Sequence, residues 1–384
     1  VKFLLKTLPG LGILILTILF ADFVLRFVPS PVQYPPWHEI GDPASLVGIE
    51  IIPSTKTQER EPCLTANITT NSLDWRDKER TVKKPDSVTR IAVLGDSYIE
   101  GSQVNDDQTF TRQLEQMLPP GKFEVLNFGL SSIGTVQERI LYEKLVKNYD
   151  PDIVIVAFYM NDVRNNDPVL EGGPGKNTPL AYLDENGQVI RFTSAGPFYG
   201  LRKWLRNNST LFRLAKTAFG QLSGMISRPQ VSTTVSSYPV AYLSYVPPTD
   251  SDWQRAWNTT EQTVLALKRE IEPDRRFFLM LIPDIVEVAP DPAALVRKNY
   301  GVDPPPGFDV NYPRLRLTGF AEKNGIKVID PQPELISYRK THDLQFPYFS
   351  FTCDGHLSPL GLKLLAEKAL TDINRQLRPE SGRQ

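Results

Sequence analysis

The chain has 384 residues, with 43 Lys+Arg against 44 Asp+Glu, 41% hydrophobic residues, two cysteines and three histidines. The balanced charge removes the electrostatic footprint of a nucleic-acid binder, and the apolar content is too high for a disordered chain. Two cysteines build neither a disulfide scaffold nor a four-thiolate zinc site, and a single region long enough to span a membrane excludes a polytopic transporter.

That region is the N-terminus. Lys2 and Lys6 precede an apolar run from Leu8 to Ala21, which Asp22 interrupts and Phe23, Val24 and Leu25 continue. As a helix, Thr7 to Leu25 covers roughly 28 Å, close to the thickness of a hydrocarbon core. Asp22 near its outer end is expected at headgroup depth. The two lysines predict a cytoplasmic N-terminus. Residues 1–28 therefore read as a transmembrane signal anchor. A cleaved signal peptide is the rival, but Phe20-Ala21-Asp22-Phe23 fits a small-residue cleavage site badly; a buried helix is the third reading. Either leading case sends the rest of the chain across the membrane, to a bacterial periplasm or cell surface. Cys63 and Cys353 suit such a place as a bridge, or stand as two separate buried thiols.

Residues 29–86 carry Pro29, Pro31, Pro35 and Pro36 and lack a helical period, which predicts a spacer or a surface-wrapping segment. Then the pattern changes. Arg90 to Leu94 is a short buried-strand run closed by Gly95. Phe110 to Leu118 reads as a helix, Phe123 to Phe128 as a strand, Val136 to Tyr149 as a helix and Asp152 to Phe158 as a strand. After an irregular insertion at about 163–250, Trp253 to Ile271 is helical and Phe277 to Ile282 a strand. Tyr312 to Asn324 is again helical, Ile326 to Ile329 a strand, and Pro359 to Leu377 an amphipathic helix. Such alternation implies βαβ units and a parallel sheet, with ligands beyond the carboxyl ends of the strands. Inside the insertion, Leu201 to Leu222 repeats apolar residues at helical spacing and carries Arg202, Lys203, Arg206, Arg213 and Lys216 without an acid. It reads as a surface helix packed on the domain, or as a lid or membrane-facing helix.

Polar residues fall at three strand ends: Gly95-Asp96-Ser97, Gly129 and Asn161-Asp162. Neither a phosphate loop ending in Gly-Lys-Ser/Thr nor a G-x-G-x-x-G loop is present. Ser97 becomes a nucleophile only if a base takes its proton. The imidazoles on offer are His38, His342 and His356. His38 lies in the proline-rich stretch, whereas His356 lies in Thr352-Cys-Asp-Gly-His-Leu-Ser-Pro just before the last helix. Asp354, two residues upstream, is placed to orient the ring.

These blocks resemble the SGNH hydrolases, also called GDSL-like esterases, over about 86 to 377 apart from the insertion. Gly95-Asp96-Ser97 resembles the first block, Asn127-Phe128-Gly129 the second, Asn161-Asp162 the third and Asp354-Gly-His356 the last. The resemblance implies a three-layer, flavodoxin-like α/β hydrolase domain over 87–378 with a central parallel sheet. It implies that Ser97 attacks an ester carbonyl, that His356 is the base and that Asp354 orients it. The N–H groups of Ser97 and Gly129 and the Asn161 side chain would form the oxyanion hole, and no metal or cofactor is implied. Asp96 and Asp162 are expected to brace loops; Tyr159, Asp162 and Arg76 are candidates for substrate contact, with pairing to a surface acid the preferred alternative for Arg76.

Two departures stand out. Tyr159 replaces the glycine usual in Gly-x-Asn-Asp, and is expected to narrow the acyl site or stack on a sugar. The last block has Asp-x-His spacing in place of Asp-x-x-His, with Cys353 three residues before His356. The shorter spacing resembles membrane-associated bacterial members and some polysaccharide O-acetyl-transfer enzymes. Asn71-Ser-Leu-Asp-Trp-Arg76 is similar to a segment of anchored bacterial members. The implied function is serine-dependent hydrolysis of O-acyl, chiefly O-acetyl, esters of a cell-envelope glycan or of a small ester. The alternatives are an O-acyltransferase using the same residues, and an inactive glycan-binding or assembly protein.

Overall fold

The computed structural model describes residues 2–27, 36–40, 45–173, 181–184, 186–192, 198–226 and 240–377. In chain order, α1 (Lys2–Leu25) is followed by two antiparallel hairpins, His38–Ile40 with Ile49–Ile51 and Lys56–Glu61 with Leu64–Thr69. Next come β1 (Thr89–Gly95), α2 (Ser97–Glu100), α3 (Phe110–Met117), β2 (Phe123–Gly129), α4 (Thr135–Lys144), β3 (Ile153–Phe158) and α5 (Asp162–Asn165). A small hairpin, Ala181–Leu183 with Val189–Arg191, precedes α6 (Tyr199–Asn208) and α7 (Thr210–Ile226). The chain closes with α8 (Ser251–Ile271), β4 (Arg276–Leu281), α9 (Pro292–Tyr300), α10 (Tyr312–Lys323), β5 (Lys327–Ile329), α11 (Gln332–Thr341) and α12 (Pro359–Leu377).

Two compact units result. One joins residues 1–36 with 194–235; the other joins 37–193 with 236–384. The larger unit is built on a five-stranded parallel sheet of order β2-β1-β3-β4-β5. This is the flavodoxin-like order, whose crevice opens where β1 and β3 lie side by side and the chain turns in opposite directions. The strands are apolar without interruption because both faces are covered. Alternation then sorts the side chains. Ala92, Leu94, Val154, Val156 and Leu279 pack in a core shared with α4 and α8. Ile91, Val93, Ile153, Ile155 and Met280 pack in a second core shared with α3 and α12.

Trp37, Ile49, Ile51, Ile68 and Trp75 belong to the first of these cores. Within 37–86, then, the chain wraps the sheet and buries side chains, which a proline-rich spacer would not. Prolines 29, 31 and 35 lie outside the described residues. The stretch read as one helix, Val136 to Tyr149, breaks at Leu145 (φ −135°) into α4 and a 3-10 turn, Val146–Tyr149.

The smaller unit contains α1, α6 and α7. The helix expected at the N-terminus is present, with 24 residues. Its side chains are described at Gly10 and from Gly12 onward, and among the described residues no helix is long and apolar enough to cross a membrane. The transmembrane span expected over 1–28 is therefore not carried by the described residues. Asp22, expected at headgroup depth, is instead buried (7% exposed). Its Oδ1 accepts the Ser209 hydroxyl and the Leu211 N–H, each at 2.8 Å. A carboxylate in an apolar helix needs such partners, and α7 supplies them.

Candidate active site

Ser97 is positioned by burial. β1 ends at Gly95, where a Cβ would stand 2.3 Å from the Ile99 side chain; only glycine lets α2 fold back over the strand end. Asp96 sits at the N-cap of α2 and accepts the Tyr98 N–H at 2.9 Å. Burial pushes the Asp96 carboxyl up to about 6, against the pull of that hydrogen bond and of His356. Gly101, at φ +73°, ends the helix.

Glycine at 129 serves the same close approach. A Cβ there would lie 2.1 Å from the Glu100 nitrogen. Asn127 ties the layers together, with its Nδ2 donating to Ile99 O and its Oδ1 accepting the Gly129 N–H, both at 2.9 Å. The expected oxyanion role of Gly129 therefore needs correction: its N–H is already used by Asn127, and it does not line the cleft. Ser132 does. It lies three residues on, in the left-handed region at φ +62°. Among the described residues no protein acceptor takes the backbone N–H of Ser97 or of Ser132. Sequence reading missed Ser132 because the family resemblance pointed to glycine and a left-handed serine has no sequence signature.

His356 Nε2 lies 2.8 Å from Ser97 Oγ, and its Nδ1 lies 3.1 Å from Asp354 Oδ2. Asp354 Oδ1 also accepts the His356 backbone N–H at 3.0 Å. Thus the short Asp-x-His spacing lets one carboxylate grip both the ring and the main chain. Partial burial would raise the Asp354 carboxyl, but the hydrogen bond and charge of His356 outweigh it and hold the group below its usual range. The loop carrying both residues is closed by Phe351 N–H to His356 O (2.8 Å) and by Gly355 at φ +83°. It is tethered by a disulfide between Cys353 and Cys63, which resolves the two thiol readings in favour of the bridge.

Asn161, at the end of β3, lines the same cleft. Its Nδ2 donates to Asp96 Oδ2 at 3.3 Å, and its buried Oδ1 has no protein partner. The cleft measures about 910 Å³ and includes Ser97, Tyr98, Ser132, Tyr159 and Asn161 in its wall. The Tyr98 ring lies 4.7 Å from His356 and 4.2 Å from Tyr159. Tyr159 in turn donates its hydroxyl to Asp284, a residue sequence reading missed, which Tyr242 also reaches at 3.3 Å.

Two of the other expected substrate contacts fall elsewhere. Asp162 is fully buried and accepts from Thr135 Oγ1 at 3.1 Å; it braces the start of α4 and does not reach the cleft. Arg76 is buried too, and donates to the carbonyls of Glu100 (2.9 Å), Gly101 and Val104. Its two terminal nitrogens hold the chain leaving α2 by main-chain oxygens and pair with Asp106 at 3.6 Å.

No family model matches the chain, and no curated protein does. Similar folds occur among solved structures. A member of the lipolytic G-D-S-L family from Veillonella parvula is 12% identical, covering 75% of this chain and 100% of its own, with a TM-score of 0.38. A catalytic mutant of an acetylxylan esterase from Geobacillus stearothermophilus is 16% identical, covering 76% and 96%, with a TM-score of 0.39. An α/β hydrolase from the metagenome of Lake Arreo, Spain, is 13% identical over 74% and 95%, with a TM-score of 0.38. The chemistry assigned to this chain rests on its own side-chain geometry.

Proposed function

We propose that the chain is a serine esterase of the SGNH type, acting on O-acyl esters, chiefly O-acetyl, of a cell-envelope glycan. The observation that carries this reading is the relay from Ser97 Oγ to His356 Nε2 (2.8 Å) and from His356 Nδ1 to Asp354 (3.1 Å), opening on the cleft. With Nδ1 protonated and held by Asp354, Nε2 is free to take the Ser97 proton. Ser97 Oγ then bonds to the ester carbonyl carbon. The negative charge that develops on the carbonyl oxygen is met by the N–H groups of Ser97 and Ser132 and by Asn161 Nδ2. The ester C–O bond breaks, and the imidazolium gives its proton to the leaving alcohol. Water, deprotonated by the same imidazole, repeats the sequence on the acyl-enzyme.

The wall made by Tyr98 and Tyr159 supports a short acyl group. Aromatic rings at Tyr300, Phe346 and Phe351, set among Arg164, Asn165 and Asn299, support a sugar on the alcohol side. The disulfide beside the triad supports an oxidising, extracytoplasmic location, and the apolar α1 supports attachment to a membrane.

The test is hydrolysis of p-nitrophenyl acetate, with labelling by a serine-reactive fluorophosphonate. Turnover and labelling by the wild type, both lost in Ser97→Ala, are expected. Absence of both in folded wild-type protein overturns the esterase reading. Acetate release from acetylated glycans, exceeding that from long-chain lipid esters at equal concentration, is expected of the substrate reading; the reverse preference removes the glycan.

A further inference from the structure

We propose that α6 and the start of α7 are a membrane-seated element, packed beside α1 and resting on an anionic bilayer. This concerns the smaller unit alone and goes beyond the ester chemistry.

The first observation is how the polar groups of that unit are used. Asp22 is the acid that interrupts the apolar run of α1. It caps the N-terminus of α7 through Ser209 Oγ and the Leu211 N–H, and it pairs with Arg26 at 3.2 Å. Arg26 also donates to the Asn208 carbonyl at 2.8 Å, which closes the turn between α6 and α7. Thr17 bonds its own helix at Ile13 O. Within the described part of α1, hydrogen-bonding side chains are therefore satisfied inside the unit. What α1 and the turn after it present outward is apolar: Leu16, Phe20, Phe23 and Phe27 are each more than half exposed.

The second observation lies on the other helix. Phe198 (78% exposed), Leu201 and Trp204 (58% exposed) follow each other at intervals of three residues. On α6 that spacing keeps Leu201 and Trp204 on one side, and Phe198 stands just before the helix in the left-handed conformation. Apolar side chains of this size, exposed in a unit that also exposes the apolar side chains of α1, mark an interaction surface.

The third observation is charge. From Phe192 to Thr249 the chain has no acidic residue, while it carries Arg202, Lys203, Arg206, Arg213, Lys216 and Arg228. Arg202 and Lys216 are exposed. An amphipathic helix with an aromatic and aliphatic stripe, basic flanks and no acids fits the interface of a bilayer with anionic headgroups. The Trp204 ring, with a polar N–H on an apolar body, suits the headgroup boundary. A protein partner of comparable charge complementarity would have to bring an acidic surface; the exposed apolar side chains of α1 in the same unit favour lipid.

The test uses the full chain in lipid vesicles. Of the five tryptophans, Trp37, Trp75, Trp253 and Trp257 are buried and Trp204 is exposed. Intrinsic fluorescence is read in phosphatidylcholine vesicles with and without phosphatidylglycerol, using lipids brominated near the headgroup as quenchers. The expected result is a quenched component that is absent from Trp204→Phe and grows several-fold with phosphatidylglycerol. Arg202→Glu combined with Lys216→Glu is expected to reduce that component several-fold. Equal quenching in wild type and Trp204→Phe overturns the proposal. So does quenching that ignores both lipid charge and the double charge reversal. Hydrolysis of p-nitrophenyl acetate by each variant at the wild-type rate reports that the larger unit is folded, and wild-type protein with normal circular dichroism but no turnover would strike at the esterase reading and leave this one, which is read by quenching, standing.

Discussion

The proposed nucleophile and its proposed base are held by opposite means. Ser97 stands on a strand-to-helix turn in which Asp96, Ile99 and Glu100 are fully buried, and glycines at 95 and 129 let three backbones meet. His356 and Asp354 sit on a loop that is partly exposed, with about a fifth to a quarter of each side chain open to solvent. The loop is held by one short bridge, Ser350 with Leu357, and by the disulfide to Cys63. Cys63 lies at the tip of the hairpin 56–69. That hairpin is docked back on the segment after α2, since Asn105 and Asp106 accept the N–H groups of Asn67 and Thr69 at 2.9 Å. The base loop is thus referenced covalently to the neighbourhood of the nucleophile. Where a core positions a group, a cross-link is superfluous; where the chain runs over the surface, a cross-link replaces the core.

This contrast is open to attack at both ends. The largest effect is expected from the chemistry itself: Ser97→Ala should lose on the order of 10³-fold or more in kcat with the fold intact. Residual turnover above a tenth of wild type would remove Ser97 as nucleophile. Next, Gly129→Ala should destabilise by about 2–3 kcal/mol, since its methyl has no room beside the Glu100 backbone. A urea midpoint equal to wild type would show that the buried edge yields more easily than its packing says.

On the exposed side, Cys63→Ser with Cys353→Ser should lower kcat about 10-fold or more, by displacing His356 from Ser97, while labelling of Ser97 slows in proportion. Unchanged kcat would mean that Asp354 and the Ser350–Leu357 bridge hold the loop alone. The smallest effect concerns the carboxylates behind the nucleophile. Glu138 is fully buried, neither oxygen has a protein partner, and burial with the charge of Asp96 raises its carboxyl well above the ordinary range. A raised carboxyl binds more protons in the folded than in the unfolded state, so its stability contribution falls as pH rises above the unfolded value of about 4.3. Glu138→Gln should therefore gain on wild type in urea midpoint between pH 5 and pH 8. A gap that is constant across that interval would show that the folded Glu138 carboxyl is already ionised by pH 5 and is not raised.

Much of the molecule was readable from local pattern. The strands at 90–94, 123–128, 152–158 and 277–282 announced themselves because a parallel sheet covered on both faces demands unbroken apolar runs. Pro359 to Leu377 was readable because one face of a helix must be apolar. Ser97, Asn161, Asp354 and His356 were readable because polar residues at strand ends and in the last loop fell in four blocks, in order, that resemble the SGNH hydrolases. Less of the wrapping segment was legible. Its strands are short, such as His38–Ile40 and Ile49–Ile51, and the burial of Trp37 depends on elements far away in sequence.

By itself, then, the sequence determined the α/β alternation and the polar residues at each strand end, which follow from periodicity over a few positions, and the candidate nucleophile and base, which follow from the resemblance of four short blocks taken in order. Only the tertiary structure decided that Ser132 and not Gly129 faces the cleft, that Arg76 and Asp162 are braces, that Asp22 caps another helix, and that Cys63 reaches Cys353. Each of these is a question of which backbone group is already hydrogen-bonded, or of which distant segments touch, and neither is written in local pattern.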